Sequence, residues 1–189
     1  MIVGVIGHRI LTEIPLLEQA ADQVFARLAR LEPGKPWQML SSLAEGADTL
    51  LVERCWLARP SARLKVVLPL PVADYRQDFK TPESQAVFEK LLGQAQEVLN
   101  LPPAPSRTAA YLAAGWWLVA QAEWVSALWE GRPPQGEGST AGAVAHARRL
   151  GKPLFIIQAG NRLPGTRHPT SLGGRQGKIL CENFAFTEG

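Results

Sequence analysis

The stretch "WVSALWEGRPPQGEGSTAGAVAHARRLGKPLFIIQ" (residues 124–158) decides how the chain is read. It opens on an apolar run from Trp124 to Trp129, crosses a loop carrying Gly136 and Gly138, and reaches Ser139 and Thr140 at the head of a helix-forming segment. Gly151 offers a stop with Pro153 two residues on, and a second apolar run, "PLFIIQ" (153–158), follows. Two strands that are apolar throughout, joined by a helix, are the unit of a parallel sheet covered on both faces.

The same alternation runs back to the start. Further strands are read at "IVGVI" (2–6), "WQML" (37–40), "LKVVLPL" (64–70) and "EVLNL" (97–101). Leu17, Ala21, Val24, Leu28 and Leu31 recur at helical spacing between the first two, and segments 44–58, 82–95, 108–121 and 140–150 also read as helices. "EPGKP" (32–36) ends the first helix, and Thr81 before Pro82 predicts an N-cap. The expected fold is a doubly wound α/β domain over residues 1–158, a mostly parallel sheet with helices on both faces. Beyond it "AGNRLPGTRHPTSLGGRQGK" (159–178) loses the pattern, and "KILCENFAF" (178–186) has the apolar content to add a strand or pack on a neighbour, so 159–189 is expected to be a partly ordered extension.

Bulk properties narrow the function. With 46% apolar and 20% charged residues the chain has the balance of an ordinary soluble domain. Its net charge of +3 is spread over the sequence with no basic block, so nucleic acid is not the expected partner. Cys55 and Cys181 are too few and too far apart for a disulfide framework or zinc knuckle, and read as reduced thiols of a cytoplasmic protein. No secretory signal is expected at the start, and "AAYLAAGWWLVA" (109–120) is shorter than a membrane span and reads as a buried helix.

Ligands of open α/β sheets sit beyond the carboxyl ends of the strands. Three loops there carry chemistry. Gly7-His8-Arg9 follows the first strand, Gly7 permitting a sharp turn and Arg9 offering a planar fork of donors to phosphate. "SSLAEGAD" (41–48) follows the second. Ser42 and Glu45 have capping-box spacing, Glu45 and Asp48 are read on one helix face as paired carboxylates, and Gly46 suggests a close approach. "GRPPQGEGSTAGA" (131–143) places Gly136, Gly138, Ser139 and Thr140 before a helix, as a phosphate cradle would. Trp129, at a strand end, is placed to touch the ligand.

Other signals carry no site. His8, His146 and His168 lack metal-ligand spacing, so no metal and no cofactor are expected. No GxSxG elbow is present. Trp116, Trp117, Trp124 and Trp129 lie in apolar runs and read as core or subunit interface, Trp129 alone reaching a ligand.

"VGVIGHR", "SSLAEGADTLLVE", "VVLPLPVADYRQDF", "AAYLAAGWWLVAQAEWVSALWEG" and "GEGSTAGAVAHARRLGKP", in this order, resemble the SLOG superfamily over about residues 1–158. This Rossmann-like group includes the LOG-type nucleotide phosphoribohydrolases, the molybdenum cofactor carrier proteins and the DNA-processing protein DprA. The chain is especially similar to bacterial members that open with GHR. The resemblance implies a nucleotide-built ligand with its phosphate at the glycine-rich loop. In LOG enzymes that loop reads PGGxGTxxE. Matching Thr140 to its threonine puts Ala143 where the glutamate stands, and sliding by one position puts Gly142 there.

The expected function is therefore binding of a nucleotide-like small molecule as sensor or carrier, by a homodimer in the cytoplasm. Two alternatives stand beside it. One is an N-glycosidase using a relocated carboxylate, with Glu45, Asp48 and Glu130 as catalytic candidates and Glu137 also near the crevice. The other is DprA-like binding of single strands, for which the only basic excess lies in the extension, at Arg162, Arg167, Arg175 and Lys178.

Overall fold

A computed structural model describes residues 1–133 and 139–184. Its centre is a seven-stranded sheet in the order β4-β3-β2-β1-β5-β6-β7. The strands are β1 (Ile2–Gly7), β2 (Gln38–Ser41), β3 (Arg63–Leu68), β4 (Glu97–Asn100), β5 (Trp124–Trp129), β6 (Leu154–Gln158) and β7 (Ile179–Glu182). All neighbours pair in parallel except β7, which runs antiparallel to β6 with Phe155 opposite Cys181. The expected doubly wound, Rossmann-like α/β fold is the one observed, and each predicted strand is present within about two residues of its expected bounds.

Continuous apolar strands follow from burial on both faces. Val3 and Val5 of β1, Leu128 of β5, and Phe155 and Ile157 of β6 face a core shared with the helices α1 (Ile14–Leu31), α2 (Ala47–Ala58) and α4 (Pro82–Gln94). Their alternates, Ile6, Val125, Ala127, Leu154 and Ile156, face a second core against α5 (Arg107–Gln121) and α6 (Thr140–Arg149). The period of two along each strand thus divides one apolar run between two helical layers.

Local signals explain the helices. In α1 the residues Leu17, Ala21, Val24 and Leu28 are buried as their spacing predicts, and Pro15 sits in the first turn. Thr81 caps α4, its hydroxyl accepting from Ser84 N at 3.1 Å while Ser84 Oγ accepts from Thr81 N at 3.3 Å. Ser106 caps α5 through Ala109 N at 3.1 Å. The five-residue α3 (Val72–Arg76) had no periodicity long enough to be read from sequence.

The chain after β6 returns across the sheet's carboxyl edge before adding β7. Buried Gln176 holds this return in place. Its Oε1 accepts from Gly160 N (3.0 Å) and Leu172 N (3.2 Å), and its Nε2 donates to Thr12 O (3.1 Å) in the loop after β1. Gln176→Ala would leave these backbone groups without a partner. The expected loss is about 1–3 kcal/mol, read from urea denaturation midpoints.

Candidate functional site

Strand order reverses between β1 and β5, so the helices after these strands leave on opposite faces of the sheet and a crevice opens between them. A cavity of about 530 Å³ occupies this position. It is walled by the loops after β1, β2, β3 and β5, by α5, by the start of α6, and by Asn161, Arg162 and Arg167 of the returning chain.

The loop after β1 is built into the protein as well as facing the crevice. A β-carbon at Gly7 would run into Ala47 Cβ and lie 2.8 Å from Leu128 O, so glycine lets α2 start against the strand end. His8 is buried, its N–H donating to Leu128 O at 3.2 Å and its ring bonded through Nε2 to the Glu130 carboxylate. Burial pushes the Glu130 carboxyl up, but the hydrogen bond and charge of His8 outweigh it, and its pKa is lowered. Glu130, facing the crevice from the end of β5, is an oriented carboxylate.

Arg9 is restrained by its surroundings. One of its terminal nitrogens lies 3.6 Å from Asp78 Oδ2, and its guanidinium lies over the Tyr111 ring, 5.2 Å from the centroid. Asp78 also accepts from Arg107 at 2.7 Å and from the Tyr111 hydroxyl. Burial and the Asp78 hydrogen bond raise the Tyr111 phenol. Asp78, just beyond α3, was missed in the sequence because the helix that presents it is too short to see.

The loop after β2 departs from its expected form. Ser42 and Glu45 do not make a capping box. The helix begins later, at Ala47, with Gly46 as N-cap at φ 90°. A side chain at Gly46 would collide with the carbonyls of Arg9 and His8, so the close approach its glycine signals is made by the protein's own backbone. Glu45 and Asp48 do not share a helix face either, since Glu45 precedes α2. The Glu45 carboxylate instead meets Arg167, 3.3 Å away.

Asp48 is buried with one oxygen accepting from Ser41 Oγ (3.2 Å), Ser42 N (3.2 Å) and Ala44 N (3.4 Å). Burial pushes its carboxyl up to about 6, although these hydrogen bonds and Arg9 pull the other way. It ties the loop together and stands on the crevice wall.

At the opposite wall, Ser139 caps α6 by accepting from Gly142 N at 3.2 Å, and Thr140 is its first residue. Both line the crevice. Gly136, Glu137 and Gly138 lie outside the described residues. Trp129 is corrected: its ring is buried in the α5/α6 core with Arg148 packed over it at 5.0 Å, and it does not line the crevice. Trp116, read as core or subunit interface, does not lie in the core: it is exposed on the crevice wall. Burial pushes the Cys55 thiol up to about 12, which leaves it a neutral core residue. Among the described residues no cluster of His, Cys, Asp or Glu is placed to hold a metal ion, and no helix is long and apolar enough to cross a membrane.

Fold and crevice together define a Rossmann-like α/β protein with an open cavity at its topological switch point, the position where open sheets of this kind take ligands. No family model matches the sequence, and no curated protein does. Among solved structures the chain is similar to DNA processing protein A of Helicobacter pylori, at 22% identity and a TM-score of 0.54 over 82% of this chain and 64% of that one. It is also similar to DNA processing protein A (DprA) of Streptococcus pneumoniae, at 15% identity and a TM-score of 0.57 over 92% of this chain and 52% of that one. The chain thus spans between half and two thirds of the length of these proteins. What they share with it is the fold.

The Helicobacter pylori protein has a described mode of binding single-stranded DNA. The expectation that set nucleic acid aside is therefore corrected. It rested on charge scattered along the sequence, but folding brings Arg9, Arg162 and Arg167 from distant parts of the chain onto one crevice.

Asp48 makes the loop sensitive to pH. Because burial raises its pKa, the folded state binds a proton more readily than the unfolded state between pH 3.8 and about 6, and stability contributed by this group falls as pH rises through that window. In Asp48→Asn that part of the pH dependence should vanish. Asp48→Ala, which leaves three donors without an acceptor, should cost about 1–3 kcal/mol at neutral pH. Urea denaturation of both variants across the window reads the two effects.

Proposed function

We propose that the crevice binds single-stranded nucleic acid, with phosphate seated at the start of α6 and Arg9, Arg162 and Arg167 meeting the backbone. The observation that carries this reading is the convergence of these three arginines on the switch-point crevice, in a fold shared with DNA processing proteins. The first-turn N–H groups of α6 have no partner within the helix and sit at its positive end, which suits a phosphate. Guanidinium groups suit the same ligand because their forked donors match phosphate oxygens.

The crevice is mixed in sign. Its described wall carries Arg9, Lys80, Arg162 and Arg167 against Glu45, Asp48, Asp78 and Glu130. Asp78 holds Arg9, and Glu45 holds Arg167, so these two cations are positioned and partly neutralised before ligand arrives. Few phosphates would then be neutralised, and a shallow salt dependence follows. Fluorescence anisotropy with a labelled thymidine oligomer should give a log–log slope of roughly −2, about 0.7 for each of three contacts on a single strand. Arg9→Ala and Arg162→Ala should each weaken binding by about 1.5–3 kcal/mol, the range for a hydrogen bond to a charged group. Unchanged affinity in both variants would defeat the assignment.

A second reading is favoured by the Glu130 carboxylate, which His8 orients towards a cavity of about 530 Å³. That volume lies within the range of sites for discrete small ligands, and carboxylates suit ribose hydroxyls. Under this reading the ligand is a free nucleotide, retained or cleaved at its N-glycosidic bond. Incubation with nucleoside monophosphates, NAD and ADP-ribose, followed by chromatography with mass detection, distinguishes the outcomes. Release of base that disappears in Glu130→Gln supports turnover, while intact retained nucleotide supports a sensor or carrier.

A further inference from the structure

Of the six tryptophans, only Trp116 is exposed, with 40% of its surface open to solvent, and it stands on the crevice wall. Helices α5 and α6 meet closely beside it, where a β-carbon on Gly115 would lie 3.5 Å from that of Ala143. Next along α5, the Trp116 indole lies over the His146 imidazole of α6, with ring centroids 5.1 Å apart and planes inclined by 21°. The Arg149 guanidinium packs over the same indole at 5.7 Å and donates to His146 Nδ1 at 2.6 Å. One helix thus supports the ring with a stacked aromatic and a cation.

An apolar ring of this size costs free energy when left in water, and nothing in the core of this protein requires it to be there. Its support by His146 and Arg149 limits its rotamers, so little side-chain entropy remains to be lost when a flat ligand lands on it. Arg149 adds positive charge next to the ring, as a ligand carrying phosphates between flat bases calls for. Burial, followed by the charges of Arg149 and Lys152, lowers the His146 pKa, which keeps the supporting imidazole neutral near pH 7.

We propose that Trp116 is a base-stacking platform: a nucleobase of the single strand lies on the exposed part of the indole, while His146 and Arg149 hold the ring from α6. This rests on the single-strand reading of the crevice and deepens it, since the arginines recognise phosphate and Trp116 recognises the base. Stacking carries little sequence preference, because every base presents a π-face.

The test compares the wild-type protein with Trp116→Ala, Trp116→Leu and Trp116→Phe on two labelled strands of equal length, a thymidine oligomer and an abasic oligomer with the same phosphates. Leucine keeps apolar bulk against His146 without an aromatic face, so a folded Trp116→Leu protein isolates stacking from packing. The alanine and leucine variants should bind the thymidine oligomer about 5- to 150-fold more weakly, the span of one lost base–aromatic stack. Phenylalanine should restore most of the affinity, and all four proteins should bind the abasic strand alike. Equal binding of the thymidine oligomer by wild type and Trp116→Leu would overturn the platform while leaving the crevice reading standing. A loss of the same size on the abasic strand would also overturn it. Failure of the wild-type protein to bind the thymidine oligomer at all would remove both readings.

Discussion

The reversal of strand order between β1 and β5 is the constraint on which the site depends. Parallel strands can be joined only by crossovers, and each crossover commits its helix to one face of the sheet. Where the commitment changes, the loops that follow adjacent strands turn away from each other. Gly7, His8 and Arg9 leave β1 on one side of this gap, and Glu130 leaves β5 on the other. The His8–Glu130 hydrogen bond spans it at the base. Every other crevice residue is placed relative to that opening.

Much of the polar chemistry around the crevice is spent on holding loops in place. Asp48 gathers three donors of its own loop, Asp78 links α3 to α5 through Arg107 and Tyr111, and Gln176 binds the returning chain to the loop after β1. Asp78 also partners Arg9, and Glu45 separately partners Arg167, before any ligand is present. The result is a crevice with individually positioned cations. It differs from a uniform basic groove in that binding would depend on a few fixed contacts more than on net charge.

The aromatic residues divide in a way that composition could not reveal. Trp124 and Trp129 belong to strand β5 and are buried, Trp129 beneath α6 and its Arg148. Trp116 lies on α5 in an equally apolar run, yet is exposed, its ring resting on His146 and Arg149 of α6. A helix buries only the face turned to its neighbours, and which residues share that face is settled by the neighbour.

The fold class is legible in the residues alone, because strands buried on both faces must be apolar throughout and helices on a sheet must carry one apolar stripe, and both patterns are local. It also pointed to the crevice through Gly7, Arg9, Ser139 and Thr140, since turn and cap residues act on their immediate neighbours. It took folding to show that Gly46 makes room for the backbone of Arg9, that Asp78 holds two arginines, and that Arg162 and Arg167 return to the crevice from beyond β6. It likewise buried Trp129 and exposed Trp116. Those outcomes depend on which segments meet in the folded chain, and contacts between residues distant in sequence leave no periodic trace in it.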